Sequence, residues 1–460
     1  MTETRDIFHR CREMGIYGLP DVNRHSPAPD DGTRANAPDL GLLPESPKLK
    51  LASVSVLIAL QDTANADPEN PAYVQWRERL LHVCELRVKT LERSLAVPAK
   101  HQDWPEIALR LTLLFLDAFF LTSDDRYLNT ALKVADHPKV ARYSRADASP
   151  SDILHALGAL SANLCNAALD RVRSSEWHVP VTDPPNTHIH RQPTISEMQP
   201  SALTQPNVVV LSPGKYSQYT LAVLELLRHA GVVPKAVIVR KMVSVARLRE
   251  EVRREGRDLY GKIWRKLILR KQEDSPAAAA PEFPHTTVDA WGKAHDVSVH
   301  YCGTLNDDDA AKLLERYAPD AVLYTGGGVI RKHILDLAGR GIVNCHMGML
   351  PPYRGYDVVS WAALNRDFDK IGLTVHFMSE GIDEGDILAM YPAELQPGDT
   401  ASSIMKRQES RMPEAIIHAF LRYWNGALAP LPQSLENGKQ YYGMHQVLRK
   451  LADEKLKGGN

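Results

Sequence analysis

Two kinds of hydrophobic pattern divide the chain into regions of different structure. Between residues 52 and 173, apolar side chains recur every three or four positions, as at Trp76, Leu80 and Cys84, and this spacing predicts amphipathic helices. Residues 109–120 are apolar on most sides, which predicts a more deeply buried helix. We therefore expect residues 52–173 to form an all-helical domain, whose sequence indicates no particular chemistry.

After Pro206 the pattern changes to short apolar runs separated by helical segments such as residues 219–230. Strands that alternate with helices predict parallel βαβ units, whose ligands bind at the carboxyl ends of the strands. We therefore expect residues 207–435 to form an α/β domain with a mostly parallel sheet, preceded by the all-α domain. The predicted strands are 208–211, 236–239, 297–301, 321–324 and 342–344.

Three further segments surround these domains. Six prolines in a polar context predict a disordered lead-in over residues 1–51, and a second proline-rich stretch predicts an interdomain linker over residues 174–206. The linker contains His188 and His190, which in principle bind a metal, but two histidines without a third ligand favour solvated side chains. We expect no metal site. Residues 436–460 are predicted to form a C-terminal helical tail.

The charge and cysteine content narrow the class of protein. Among 460 residues, 55 Lys and Arg face 56 Asp and Glu, giving a net charge of −1, so we expect no nucleic-acid partner. Five scattered cysteines without a C-x-x-C pair suit free thiols in a reducing compartment. The densest apolar stretch, residues 111–121, is too short to span a bilayer. These features predict a soluble, cytoplasmic protein without a membrane span, and a homodimer stays open.

One segment departs from this neutrality. Residues 247–271 contain ten Lys or Arg and four Asp or Glu, a local charge of +6, together with a partial apolar face. A helix with a solvated basic side is the favoured interpretation. The alternative is a local site for an anionic group or a membrane surface.

The candidate chemistry lies at the end of the fifth predicted strand. Asn344 and His346 are two residues apart, so their side chains point to the same face of the strand, and Asp383 follows in a later, glycine-containing turn. An amide, an imidazole and a carboxylate can support acyl transfer without a protein nucleophile. Asn344, with His346, would donate hydrogen bonds to the oxyanion, and His346 would also move protons near neutral pH. Asp383 would orient His346 or accept the amine proton through a water.

Each of these residues also has a structural interpretation. Asn344 can cap a turn, His346 can be a hydrogen-bonded histidine at the end of a strand, and Asp383 can serve its own turn. The surrounding sequence distinguishes the two interpretations. It reads Asn-Cys-His-Met-Gly-Met-Leu-Pro-Pro-Tyr-Arg-Gly from residue 344, and Gly-Leu-Thr-Val-His-Phe from residue 372. These two ordered motifs resemble those of the formyltransferase family that uses 10-formyltetrahydrofolate, which includes glycinamide ribonucleotide, methionyl-tRNA and sugar-amine formyltransferases.

The resemblance covers residues 207–435 and implies a Rossmann-like catalytic domain with Asn344, His346 and Asp383 as its catalytic residues. It also implies that 10-formyltetrahydrofolate binds as the formyl donor between a glycine-rich loop and the turn that carries Asp383. Glycines suit this role because they let the backbone approach a flat heterocycle. The implied donor-binding residues are Tyr324, Gly326, Gly327, Gly328, Val329, Ile330, Leu350, Glu380, Gly381 and Ile382.

The chain departs from the family pattern at three places. Gly348 and Met349 stand where many members carry a serine, so any contact of that hydroxyl is missing here. The loop that would bind the folate is richer in glycine than usual. The loop that contains Lys215 is not the glycine-rich phosphate loop of the glycinamide ribonucleotide enzyme, and a solvated Lys215 is the favoured interpretation.

By this resemblance we expect formyl transfer to the primary amine of a small acceptor, an amino sugar or a specialised metabolite. Three alternatives stay open. A methionyl-tRNA formyltransferase is disfavoured because the neutral chain shows no basic C-terminal barrel after about residue 430. A formyltetrahydrofolate deformylase is disfavoured because residues 52–173 are helical. The third alternative is a non-catalytic folate-binding or interaction protein.

Overall fold

A computed structural model describes the chain in several stretches and divides it into two compact units, residues 1–175 and 176–460. The described residues are 81–82, 84–85, 88, 104–144, 153–174, 188–194, 205–241 and 285–458. The predicted lead-in, residues 1–51, and the basic segment, residues 247–271, lie outside them. The same holds for parts of the predicted helical domain and linker.

The described part of the first unit is helical. Its helices are α1 (Trp104–Thr122), α2 (Asp125–Ala135), α3 (Pro138–Ala141) and α4 (Ile153–Ser174). Helix α2 begins after Asp124, whose side chain accepts a hydrogen bond from the backbone N–H of Arg126 at 3.1 Å, as expected for an N-cap. Leu114, Leu116 and Leu128 are fully buried, so the apolar positions of these helices form the core of this unit.

The second unit is built on a seven-stranded sheet. Its strands are β1 (Val208–Ser212), β2 (Ala236–Arg240), β3 (Ser298–Cys302), β4 (Ala321–Tyr324), β5 (Ile342–His346), β7 (Gly372–Phe377) and β8 (Ile387–Pro392), and β6 (Tyr353–Gly355) lies outside it. The strand order is β3-β2-β1-β4-β5-β7-β8. The first five strands of that order are parallel, and β7 runs antiparallel to both of its neighbours. The predicted α/β fold with a mostly parallel sheet is thus confirmed.

Helices cover both faces of this sheet, in two separate apolar cores. The helices of this unit are α5 (Gln218–His229), α6 (Val288–Ala294), α7 (Asp308–Tyr317), α8 (Lys332–Leu335), α9 (Val358–Leu364), α10 (Ala401–Trp424) and α11 (Gln446–Gly458). Strands β1, β2 and β4 are nearly continuous apolar runs because each is buried on both faces, whereas most of the edge strand β3 is partly exposed. No helix in the described residues is long and apolar enough to cross a membrane.

The strand order reverses between β1 and β4, which is where open α/β sheets form a ligand-binding crevice. A buried chain of hydroxyl groups fixes this point. Ser212 Oγ lies 2.8 Å from Thr220 Oγ1, which lies 2.7 Å from Thr325 Oγ1, and Thr325 donates to the Leu211 carbonyl at 3.0 Å. The loops after β1 and β4 are therefore held together by side chains that satisfy one another.

The C-terminal segment does more than form a helix. Strand β9 (Lys439–Tyr441) pairs in parallel with β6, and α11 then packs against α9. The predicted helical tail, residues 436–460, therefore contains a short strand before its helix. At the other end of the unit, Ile189 of the predicted linker forms a parallel bridge with Met390, and the His190 N–H donates to the Met390 carbonyl at 2.7 Å. This segment covers the free edge of β8.

Candidate active site

Asn344 and His346 lie at the carboxyl end of β5, which is buried along its whole length. Both side chains line the same cavity. Only 9% of the surface of Asn344 and 8% of that of His346 is exposed. The structure thus brings together the amide and the imidazole that the spacing of two residues along a strand predicts.

Asp383 reaches these residues from the turn between β7 and β8. Its Oδ2 lies 3.3 Å from Nδ1 of His346 and accepts the backbone N–H of Gly355 at 2.9 Å. Its backbone is left-handed, with φ of 54°, a conformation that aspartate adopts more readily than most residues. Gln433 holds this backbone by donating from Nε2 to the Asp383 carbonyl at 3.1 Å.

The three residues share a cavity of about 230 Å³. One wall is the glycine-rich loop after β4, and another is the turn that contains Asp383. The lining combines these backbone segments with soft apolar side chains and one partly exposed aromatic ring. The lining residues are Gly326, Gly327, Gly328, Val329, Asn344, Cys345, His346, Met347, Gly355, Tyr356, His376, Met378, Ser379, Gly381, Ile382, Asp383 and Met412.

Residues 297–420, about a quarter of the chain, match the family model described as Formyl transferase. They include strands β3 to β8, all three candidate catalytic residues and the turn that carries Asp383. Through this stretch the chain is similar to formyl transferases. The resemblance of the two sequence motifs is thus confirmed.

Known relatives match about a third of the chain. Methionyl-tRNA formyltransferase of Anaeromyxobacter dehalogenans is 32% identical over 163 residues, 35% of this chain and 52% of that protein. The Myxococcus xanthus enzyme of the same name is 33% identical over 127 residues, 27% of this chain and 40% of that protein. The chain therefore spans about half the length of the curated relatives it matches.

A solved structure, glycinamide ribonucleotide transformylase 1 from Symbiobacterium toebii, aligns with 50% of this chain and 95% of that chain. The sequence identity is 19% and the TM-score is 0.34. A TM-score of this size carries no weight for fold or function.

The ten residues implied as donor-binding divide into two groups. Six of them, Gly326, Gly327, Gly328, Val329, Gly381 and Ile382, line the cavity. The space around Gly327 and Gly328 is open, since an added Cβ would meet no atom within 4 Å at either position. This open backbone fits the expected approach of a flat ring.

The other four residues support the cavity or lie away from its lining. The Tyr324 hydroxyl donates to the Gly327 carbonyl at 2.6 Å and so holds the glycine-rich loop. Ile330 is buried in the core on one face of the sheet, and Leu350 is buried in a small cluster with Met349, Ile387 and Met390. Glu380 is exposed. Among the described residues, no group of three or more His, Cys, Asp or Glu side chains could hold a metal ion.

His376 is the residue of this site that sequence reasoning missed. It pairs directly with Asn344 across β5 and β7, and its Nε2 lies 3.4 Å from Nδ2 of Asn344 and 3.6 Å from Oδ1 of Asp383. The signal was present in the motif, because the alternation of Thr374 and His376 along β7 places both on one face. What was missing was the register, which only the fold supplies.

Burial and charge act on Asp383 in opposite directions. Burial raises the pKa of the Asp383 carboxyl, but His346 and His376, the Gly355 N–H and Arg354 outweigh it and hold the pKa below its usual range. Asp383 is therefore an ionised carboxylate at neutral pH. Burial also lowers the pKa of His376, against the opposing attraction of Asp383, so its neutral form is favoured.

His346 is held from both ends of its ring. Its Nε2 lies 2.8 Å from the Tyr353 carbonyl, and its Nδ1 faces the Asp383 carboxylate. Both partners only accept hydrogen bonds. Together they fix the position of the His346 ring in the cavity wall.

Two glycines allow this arrangement. Gly355 has φ of +101°, and a Cβ there would lie 2.2 Å from the Tyr441 carbonyl oxygen on β9, so a side chain would displace the N–H that binds Asp383. At Gly348, where many family members carry serine, a Cβ would lie 2.9 Å from His346 Nε2 and 2.8 Å from Val358 Cγ2. Packing around His346 thus leaves no room for that serine.

Proposed function

We propose that the protein transfers a formyl group from 10-formyltetrahydrofolate to the primary amine of an acceptor. The observation that carries this proposal is the meeting of Asn344, His346 and Asp383 in one buried cavity beside an open glycine-rich loop. The match of residues 297–420 to the Formyl transferase family model supports the same chemistry. Among the described residues that line this cavity, we find no second cluster of catalytic residue types.

The chemistry begins when the acceptor nitrogen attacks the formyl carbon and negative charge develops on the formyl oxygen. The Asn344 amide is the natural donor to this oxygen, since preorganised donors in a buried site stabilise developing charge strongly. Oδ1 of Asn344 has no hydrogen-bond partner among the described residues. This unpaired atom is available to accept an N–H of the attacking amine.

His346 and Asp383 then divide the remaining work. Nε2 of His346 faces the Tyr353 carbonyl and Nδ1 faces Asp383, so the ring holds the Asp383 carboxylate in place beside the reaction. Asp383 accepts the proton that the amine loses, through a water molecule. The proton then passes to the departing nitrogen of the folate, and the formylated amine is released.

A small amine, such as an amino sugar or a specialised metabolite, is the acceptor that we propose first. The near-zero net charge of the chain gives no general attraction for nucleic acid. Methionyl-tRNA is the second candidate, and the observation that favours it is the 32% identity to a methionyl-tRNA formyltransferase over 163 residues. A cytoplasmic location remains our prediction from the sequence.

The test incubates the full chain with 10-formyltetrahydrofolate and one acceptor at a time. The arms are free and nucleotide-linked amino sugars, methionyl-tRNA, and no acceptor. Tetrahydrofolate release gives the rate, and mass spectrometry detects the gain of one formyl group. Asn344→Ala is the test variant, and Asn207→Ala is the matched control, since the Asn207 amide binds the Tyr317 carbonyl away from the cavity.

We expect acceptor-dependent release in the wild type and in Asn207→Ala, with a loss of about 10²–10³-fold in Asn344→Ala. Release without an acceptor would instead identify a deformylase. Folate binding without turnover in any arm would favour a non-catalytic folate-binding protein. Equal rates in Asn344→Ala and the wild type would overturn the mechanism.

A further inference from the structure

The orientation of the Asn344 amide is decided by a neighbouring residue. An amide offers two N–H groups on one side and an oxygen on the other, and only the N–H side can stabilise a developing negative charge. His376 stands directly opposite Asn344 in the β5–β7 register, with 1% of its surface exposed. Its ring is the hydrogen-bond partner of the Asn344 amide within the sheet.

The protonation of the His376 ring follows from its other nitrogen. Nδ1 lies 2.7 Å from the Phe377 carbonyl. A carbonyl oxygen only accepts, so Nδ1 carries the hydrogen. In the neutral ring Nε2 then has a free lone pair, which faces Nδ2 of Asn344 at 3.4 Å.

This lone pair selects one of the two amide orientations. With Nδ2 toward His376, one N–H donates to the ring and the second N–H stays available to a ligand. The reverse orientation would place Oδ1 of Asn344 against the lone pair of Nε2, two acceptors in contact in a buried site, which is costly.

We propose that His376 is a positioning residue, which holds the Asn344 amide with its N–H side ready for the formyl oxygen. The proposal rests on the formyl transfer proposed above and extends it to a residue that does not touch the reacting atoms. Two titratable groups face the His376 ring. They are Asp383, 3.6 Å from Nε2, and His346, whose ring centre is 6.4 Å away.

These neighbours define the competing state. A doubly protonated His376 would donate from Nε2 to Asp383, lose its acceptor for Asn344 and release the amide. Desolvation at this buried position works against that second proton, which would place a charged ring between β5 and β7.

The first experiment compares His376→Gln and His376→Leu in the full chain. It measures the steady-state release of tetrahydrofolate from 10-formyltetrahydrofolate with the acceptor that gives turnover in the assay described above. Glutamine keeps an acceptor oxygen for the Asn344 amide, whereas leucine fills the space without one. His300→Leu is the matched control, because His300 lies on β3 and its Nε2 binds the Tyr317 hydroxyl at 2.7 Å.

We expect His376→Leu to lower kcat on the order of tenfold to a hundredfold with little change in the KM for the donor, the mark of an interaction that acts in the transition state. His376→Gln should recover most of that kcat, and His300→Leu should leave kcat near the wild-type value. Equal kcat in His376→Leu and the wild type would overturn the proposal. Equal losses of kcat in His376→Leu and His376→Gln would do the same.

The second experiment does not depend on turnover. Long-range ¹⁵N–¹H NMR on histidine-labelled protein reports which ring nitrogen carries the hydrogen, and His376→Gln assigns the signal. We expect the neutral ring with the hydrogen on Nδ1 at neutral pH. A hydrogen on Nε2, alone or in the doubly protonated ring, would overturn the proposal even in a protein with full activity. Conversely, a wild type that transfers no formyl group would disprove the proposed function and leave this measurement interpretable.

Discussion

Two neighbouring pairs of strands in the sheet, β1 with β4 and β5 with β7, are buried to a similar extent and yet differ in composition. Strands β1 and β4 bury apolar residues almost throughout, and helices cover them on both faces. Strands β5 and β7 are equally buried, but one face of this pair carries Asn344, His346 and His376. A buried polar group is costly unless it is paired.

The difference lies in the partners. The polar face of β5 and β7 is supplied with hydrogen-bond partners by distant segments: the Tyr353 carbonyl, the Gly355 N–H and the Asp383 carboxylate. The pair β1 and β4 stabilises the fold by burying apolar surface. The pair β5 and β7 also holds charged and polar groups in fixed, buried positions, which is typical of a reactive site.

The sharpest test of this comparison substitutes one residue in each pair of strands. Asn344→Ala should lower the transfer rate about 10²–10³-fold and leave the melting temperature within a few degrees of the wild type. Leu211→Ala in β1, which is fully buried, should cost roughly 2–5 kcal/mol of stability and leave the rate of the folded protein unchanged. Rate assays and denaturant unfolding measure both effects. The comparison fails if the two substitutions have the same effects.

The next effect concerns the packing around His346. Gly348→Ser introduces a Cβ that collides with His346 Nε2 and Val358, so we expect a loss of about 1–3 kcal/mol in stability from overpacking together with lower activity. Gly398→Ala is a comparison at a glycine with open surroundings and positive φ, which tests backbone strain without contact to the site. Unchanged activity in Gly348→Ser would show that His346 tolerates displacement.

The acid dependence of stability should separate two carboxylates that have the same sign of pKa shift. The pKa of Asp383 is held below its usual range, and the hydrogen bond from Arg407 lowers the pKa of Asp399 to about 2. A depressed pKa in the folded state adds stability above the unfolded pKa of about 4, and this stability is lost as pH falls through the folded value.

We therefore expect Asp383→Asn and Asp399→Asn each to flatten the fall in stability below about pH 4. Unfolding in denaturant across a pH series measures this. Only Asp383→Asn should also lower the transfer rate at neutral pH, since Asp399 lies at the start of α10 with Arg407 and Ser403 as partners. If stability fell with pH as steeply in Asp383→Asn as in the wild type, the low pKa of Asp383 would be contradicted.

The smallest effect concerns the free edge of the sheet. Ile189 packs against Met349, Leu350, Ile387 and Met390 beside β8, so Ile189→Ala should cost on the order of 1 kcal/mol. Val233→Ala, at a side chain that is 46% exposed, should change stability by less than about 0.5 kcal/mol. Thermal unfolding of the two variants compares them. Equal stability would show that the segment around Ile189 adds nothing to the sheet.

Most of the fold was predictable from the sequence because it depends on local pattern. The five predicted strands lie within one or two residues of the observed ones, since buried parallel strands are short apolar runs bounded by polar turns. The N-cap of α2, Asp124, was also predictable, because aspartate is a preferred residue at this position. The antiparallel β7 and the pairing of β6 with β9 were not, because both depend on contacts between distant residues.

The candidate site was predictable in the same uneven way. Asn344 and His346 share a face through their spacing, and Asp383 followed from the resemblance to the formyl transferase family. The residues implied as donor-binding do not all lie at the cavity. Gly326 lines it, whereas Leu350 is buried in a separate apolar cluster. A motif records which residues occur together, but it does not record which of them face the ligand. Their catalytic and binding roles stay predictions.

By itself, the sequence determined an α/β domain with a mostly parallel sheet, its resemblance to formyltransferases, and the strand end at which chemistry is expected. The tertiary structure alone decided the partners of those residues: His376 across the sheet from Asn344, the Tyr353 carbonyl on His346, and β9 against Gly355. The physical reason is that strand propensity and spacing act over a few residues. Hydrogen-bond partners and tautomers instead depend on which distant segments meet in the folded chain.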